Sequence, residues 1–189
     1  MTARLHRLLL STTPLISPKT LRILDSNTDE IKAYWVLYID IVCISLDGNV
    51  LDPAWASIVA ALHSTKLPKA YWDPDTEEVV CYPELSKYRP LDISEWAFIS
   101  SFAILSTAEK EEMGVEIGRG EVVILNDPDE FEESVCEQRV RVCITAGGKI
   151  AWIEHGGGLV ELRHIHECVR RAAERYKVWE ELLKQVARS

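Results

Sequence analysis

The chain has 189 residues, 47% of them hydrophobic, and a formal charge of −9 from 30 acidic and 21 basic side chains. That length holds one domain or two small ones with a real core, and the acidic balance argues against a free-standing nucleic-acid binder that works through a basic surface. Five cysteines, an odd number without a CxxC pair, argue against a disulfide framework or a zinc site and fit a reducing compartment, and no apolar run is long enough to span a membrane, which predicts a soluble chain.

Residues 1–24 contain no acid and carry Arg4, Arg7, Lys19 and Arg22. By composition this could be an organelle transit peptide; the alternative is a short amphipathic helix with Leu5, Leu8 and Leu9 on one face, followed by a proline-marked loop. Residues 25–30 (DSNTDE) read as an exposed acidic loop. Residues 34–46 form an apolar run rich in β-branched and aromatic side chains, interrupted by Asp40. A run apolar on both faces predicts a central strand covered on both sides. Asp47 stands at its end, against Gly48-Asn49. Asp52-Pro53 has the chemistry of an N-cap and first helical residue, which predicts a helix over 54–62. Residues 71–82 read as two short strands about the turn Asp73-Pro74-Asp75-Thr76. The polar stretch 83–92, with two prolines, is the candidate domain boundary.

The second half predicts an α+β arrangement. Strands are expected at 97–105 and 121–125. Asn126-Asp127-Pro128 ends the latter, and an acidic turn or helical stub follows at 129–133. Residues 139–145 alternate, with Val140, Val142 and Ile144 on one face and Arg139, Arg141 and Cys143 on the other. Gly147-Gly148 supplies a tight turn, because both residues accept positive φ, and 149–154 return as the partner strand. A helix follows over about 160–186, with Leu162, Ile165, Val169, Ala172, Tyr176, Trp179, Leu183 and Val186 as the stripe that covers the sheet.

The phrase WVLYIDIVCISLDGNVLD (35–52) resembles the central-strand motif of the RNase PH superfamily, and within it the non-catalytic ring subunits of the eukaryotic RNA exosome. ISPKTLRI (16–23) is similar to the segment that precedes that strand. LNDPDEFEE (125–133) and GGKIAWIEHGGG (147–158) are similar to the family's post-strand segment and its hairpin with a glycine-rich turn. The resemblance favours the helix over the transit peptide at the start of the chain. It implies an α/β to α+β, RNase PH-like fold of mixed sheets covered by helices. It divides the chain into 1–90, a partial first domain, and 91–189, a second domain. It implies a structural subunit that pairs with other RNase PH-like ring subunits and cap subunits, and meets RNA through the assembled complex. RNA processing and degradation, including ribosomal RNA maturation, in nucleus, nucleolus and cytoplasm would follow, with no membrane and no cofactor.

Catalytic members of the superfamily carry a carboxylate at the position Asp47 matches and attack the RNA 3′ end with phosphate. That chemistry needs a dense anion site, since an oxyanion nucleophile must be neutralised before it approaches a phosphodiester. In the family those groups come from an earlier part of the first domain, which has no counterpart here, and Asn49-Val50 replaces further glycine and small polar residues. Asp40 and Asp47 are therefore vestigial candidates, read as a buried hydrogen-bonded carboxylate and a turn cap. A phosphate-dependent 3′ exoribonuclease using Asp47 is the competing reading, and a stand-alone homo-oligomer without an exosome role is another.

Other motifs carry less. His155-Gly156-Gly157-Gly158 superficially resembles an oxyanion loop, but no G-x-S-x-G elbow accompanies it, so it reads as a turn. His164 and Cys168 are spaced to share a helix face as metal ligands do, yet a third ligand is not evident and His166 points elsewhere; no metal site is assigned. Arg119, between Gly118 and Gly120, is a weak candidate for touching RNA or a neighbour. Arg163, Arg170, Arg171, Arg175 and Lys177 alternate with Glu161, Glu167, Glu174, Glu180 and Glu181, which reads as a salt-bridged solvent face. Trp35, Trp55 and Trp152 read as core, and Trp72 and Trp96 flank loops.

Overall fold

The computed structural model describes residues 15–93, 95–106 and 121–186. The N-terminal amphipathic stretch and Arg119 lie outside the described residues. The chain divides into two compact units, Met1–Val42 with Ser57–Trp96 and Cys43–Ala56 with Ala97–Ser189.

In the first unit, β1 (Arg22–Leu24) pairs antiparallel with β2 (Ile31–Tyr34). The connecting loop is closed by Asp25, whose Oδ1 accepts from the amides of Asn27 (2.8 Å) and Thr28 (3.3 Å). Asp25 is thus buried at the base of a loop expected to be wholly exposed; a side chain that satisfies turn amides is held inward. The strand expected at 34–46 is largely absent. Ladder pairing ends at Tyr34, after which Trp35 donates its amide to Leu21 O (2.8 Å), and residues 36–46 find no ladder partner among the described residues. Propensity alone does not make a strand; neighbours do. Tyr38, Val42, Ile44 and Leu46 are exposed in consequence, and Trp35 is half-buried rather than core.

Helix α1 (Leu51–Ser64) begins three residues before the predicted span. Its later part buries Ile58, Val59 and Leu62 in the first unit. β3 (Lys66–Leu67) pairs with β6 (Arg89–Pro90), and β4 (Ala70–Asp73) with β5 (Glu78–Cys81), as the 71–82 hairpin predicts. Asp73 accepts from the Asp75 amide at 3.0 Å and tightens that turn. The Trp96 ring meets His63 at 5.3 Å between centroids.

The second unit is a four-stranded antiparallel sheet in the order β10-β9-β7-β8. β7 is Ala97–Ser106, β8 Val122–Asn126, β9 Gln138–Thr145 and β10 Lys149–Gly156. α2 (Glu130–Val135) is the acidic stub, started by a capping box in which Asp129 accepts from the Glu132 amide and Glu132 from the Asp129 amide. Gly147 and Gly148, each at φ 74°, turn β9 into β10. α3 (Leu162–Val186) packs on β7 and β9. Its stripe is Ile165, Cys168, Val169, Ala172, Tyr176 and Trp179, with Phe98 stacked on Trp179 at 5.3 Å. Leu162, expected in the stripe, is exposed, while Cys168 takes a fully buried place. Val140, Val142 and Ile144 are buried as their alternation predicts. Cys143 is buried too, because the sheet is covered on its second face around Ile99, its register partner. Trp152 is half-buried on the edge strand β10.

Candidate functional site

The residues singled out by the acidic turn gather with others at one place in the second unit. Gly48 has φ 74°, and a Cβ there would run into the backbone of Pro128 and Asp129, so only glycine lets the two turns touch. That approach aims the turn at the start of α2. Asp47 Oδ1 accepts from the Glu130 amide (3.3 Å), and the Asn49 amide donates to Glu133 Oε1 (3.4 Å). Asp47 therefore caps another element rather than its own turn, where free amides at a helix start attract a carboxylate. Asp40 is exposed, not the buried hydrogen-bonded carboxylate expected, because residues 36–46 have no ladder partner among the described residues. Asp40 belongs to the first unit and Asp47 to the second.

The centre of the cluster is Asp52. It was expected to cap α1, but it lies inside the first turn and points into the protein. Oδ2 accepts from the Ser101 amide (2.8 Å) and Oδ1 from the Ser101 hydroxyl (2.7 Å). Arg175 Nη1 stands 3.5 Å from Oδ2, and its Nη2 is 3.9 Å from Asp127 Oδ2. Asn49 Nδ2 donates to Asp127 Oδ1 at 2.5 Å. Turning that amide over would set oxygen against carboxylate, so its orientation is fixed by charge, and Asn49 Oδ1 stays buried without a hydrogen-bond partner among the described residues. Burial pushes the Asp52 carboxyl above its ordinary range. The Ser101 hydroxyl, the Asn49 side chain, the Ser101 amide and the Arg175 charge pull it back.

Asn49, Ser101 and Arg175 were missed by the sequence reading. The signal was Ser100-Ser101 inside an otherwise apolar strand, since buried hydroxyls need partners. Arg175 was placed on the solvent face of α3; it turns inward, as does Arg171, which donates to Ile124 O (2.9 Å) and Asn126 Oδ1 (3.2 Å). The remaining helix pairs behave as expected: Arg170 bridges Glu167 and Glu174 at 2.6 Å each.

Chemically, the cluster is a satisfied carboxylate network. Its cation, Arg175, is shared between two carboxylates, so the charge that a phosphate would need is already committed. His155 is exposed, and Gly157 (φ 92°) lies so close to Glu137 O that a Cβ would overlap it, which is the role of a turn. Cys168 faces the core with its thiol pushed up to about 11 by burial, while His166 is exposed. Among the described residues no three His, Cys, Asp or Glu side chains gather to hold a metal, and no helix is long and apolar enough to cross a membrane.

No family model matches the chain. Among curated proteins, it is 30% identical over 148 residues to the exosome complex component rrp43 of Schizosaccharomyces pombe, covering 78% of this chain and 48% of that one. It is 32% identical over 123 residues to the exosome complex component Rrp42 of Methanothermobacter thermautotrophicus, covering 65% of this chain and 38% of that one. Among solved structures, an archaeal exosome core matches with a TM-score of 0.55 and 20% identity, over 93% of this chain and 61% of that chain, which carries the fold. The chain spans about half the length of the curated relatives it matches. By sequence, the chain is thus similar over most of its length to exosome complex components, and its mixed strands and helices share the fold of the archaeal exosome core.

Proposed function

We propose that the protein is a non-catalytic structural subunit of the RNA exosome ring, which supports 3′-to-5′ RNA processing and degradation by positioning RNA and neighbouring subunits. The observation that carries this reading is the match to rrp43 over 78% of the chain. The site geometry supports it: Asp47 is engaged with the start of α2, and Arg175 is bound to carboxylates rather than offered to phosphate. The chain's charge of −9 suits a subunit that meets RNA together with partners, the other RNase PH-like and cap subunits. We further propose two domains, 1–90 and 91–189, and work in the nucleus and nucleolus with a cytoplasmic share, which a fluorescent fusion tests.

Catalysis is tested on the purified chain with a 5′-labelled oligoribonucleotide that has a free 3′ hydroxyl, together with inorganic phosphate. The expected result is no shortening and no release of nucleoside diphosphates. Phosphate-dependent shortening that Asp47→Asn abolishes would make the chain an exoribonuclease instead.

A further inference from the structure

In the first unit, two lysine ammonium groups come to rest against one tyrosine ring. Lys69 Nζ lies 5.5 Å from the centre of the Tyr82 ring and Lys87 Nζ 4.0 Å. The hairpin dictates this meeting. Its ladder pairs Ala70 with Cys81, and the Tyr82 amide donates to Lys69 O (2.9 Å), so Lys69 and Tyr82 stand opposite each other on one face. Tyr71 shares that face, with its ring 5.3 Å from that of Tyr82. One helical turn, Leu85–Lys87, brings Lys87 back over Tyr82. The pairing of β3 with β6 sets Leu67 against Arg89 and so adds Lys66 and Arg89 beside the open end of the hairpin. The hairpin's own acids, Asp73, Asp75, Glu77 and Glu78, lie at its closed end. A chain of charge −9 thus concentrates four cations at one corner. Glu84 meets Lys87 at 3.4 Å, with both side chains exposed; such a pair is weak and readily exchanged. Ammonium groups against one ring repel each other. The ring face offsets part of that repulsion, and an anion between them would offset more.

We propose that this corner binds single-stranded RNA, with Lys69 and Lys87 on a phosphate and an unpaired base against Tyr71. The choice of RNA among single strands rests on the exosome reading above; the chemistry of the corner selects the rest. Lys66, Lys69, Lys87 and Arg89 are all exposed, so a phosphate can reach them. Tyr71 and Tyr82 are half-buried, which fixes their rings while leaving surface for a base. An acidic peptide would use the charges and leave the rings idle. A duplex would present phosphates without free base faces.

The test titrates the purified 189-residue chain into a short fluorescent oligoadenylate over a range of salt and follows anisotropy. The proposal expects saturable binding that Lys69→Gln with Lys87→Gln weakens at least about tenfold at low salt. The slope of log affinity against log salt should fall by about 0.7 for the phosphate lost. Both lysines are exposed, so the variant keeps the far-ultraviolet circular dichroism of the parent, which is checked alongside. Lys149→Gln with Lys184→Gln makes the same charge change in the second unit and should leave affinity within about twofold. Pairing the strand with oligouridylate should weaken binding at least about fivefold. Absence of binding by the folded chain, equal losses from the two lysine pairs, or equal affinity for strand and duplex overturns the proposal. So does an oligoglutamate that competes as well as unlabelled oligoadenylate. A chain that binds the strand yet recovers no ring subunits from cells keeps this inference and loses the exosome reading. One that recovers them and binds no strand loses this inference alone.

Discussion

Asp52 is held against its own burial by four donors, and its behaviour can be worked out from them. Asp52→Ala strands the Ser101 hydroxyl and amide; Arg175, whose side chain is 33% exposed, recovers water. The expected loss is about 1–3 kcal/mol in a denaturant titration, with Asp52→Asn milder. Burial raises the folded pKa above the ordinary 3.8, so the folded state binds this proton more tightly than the unfolded chain. The contribution of this group to stability therefore falls as pH rises from the ordinary value through the raised one. Melting curves across mildly acid pH should show that slope in the parent and its loss in Asp52→Asn. Glu167 has the opposite sign. Hydrogen bonds from Arg170 and then Arg171 hold it down to about 2, so its contribution is present above the ordinary 4.5 and lost as pH falls through about 2. Its side chain is 32% exposed, so salt screens it in part. The cysteines divide in the same way. Cys143 and Cys168 are buried, with thiols pushed up to about 12 and about 11, and should resist a thiol reagent at neutral pH that labels exposed Cys43 and Cys81.

Among the elements, those whose pattern is satisfied by local partners were legible in the sequence. The 71–82 hairpin, β7, β9 with its buried Val140, Val142 and Ile144, the Gly147-Gly148 turn and α3 all rest on short-range periodicity and turn chemistry. Residues 36–46 have as strong a strand composition as β9 and form no strand, because pairing is a property of neighbours and not of propensity. Asp40 was misread for the same reason, and Asp52 and Arg175 because side chains from distant elements decide where a charge turns. Trp55, by contrast, was readable as core; it is fully buried, and its Nε1 donates to Ala97 O at 2.7 Å. Trp55→Phe should cost about 1–3 kcal/mol by losing that bond. Gly157→Ala should cost at least about 1–3 kcal/mol, since it both strains a positive φ and drives a methyl into the Glu137 carbonyl; chemical denaturation reads this directly.

At the scale of the molecule, the second unit is a sheet covered by a helix and braced by a carboxylate network. The network ties the α1 start, β7, the α2 approach and α3 into one unit. In the first unit, Val36, Tyr38 and Val42 are exposed. The proposed role is one of association, which gives the most direct test of the account. The chain, tagged and purified from its native cell under gentle conditions, is analysed by quantitative mass spectrometry for the exosome ring and cap subunits. The account predicts their recovery in near-equal amounts with the tagged chain. Soluble, folded chain that recovers none of them would contradict it.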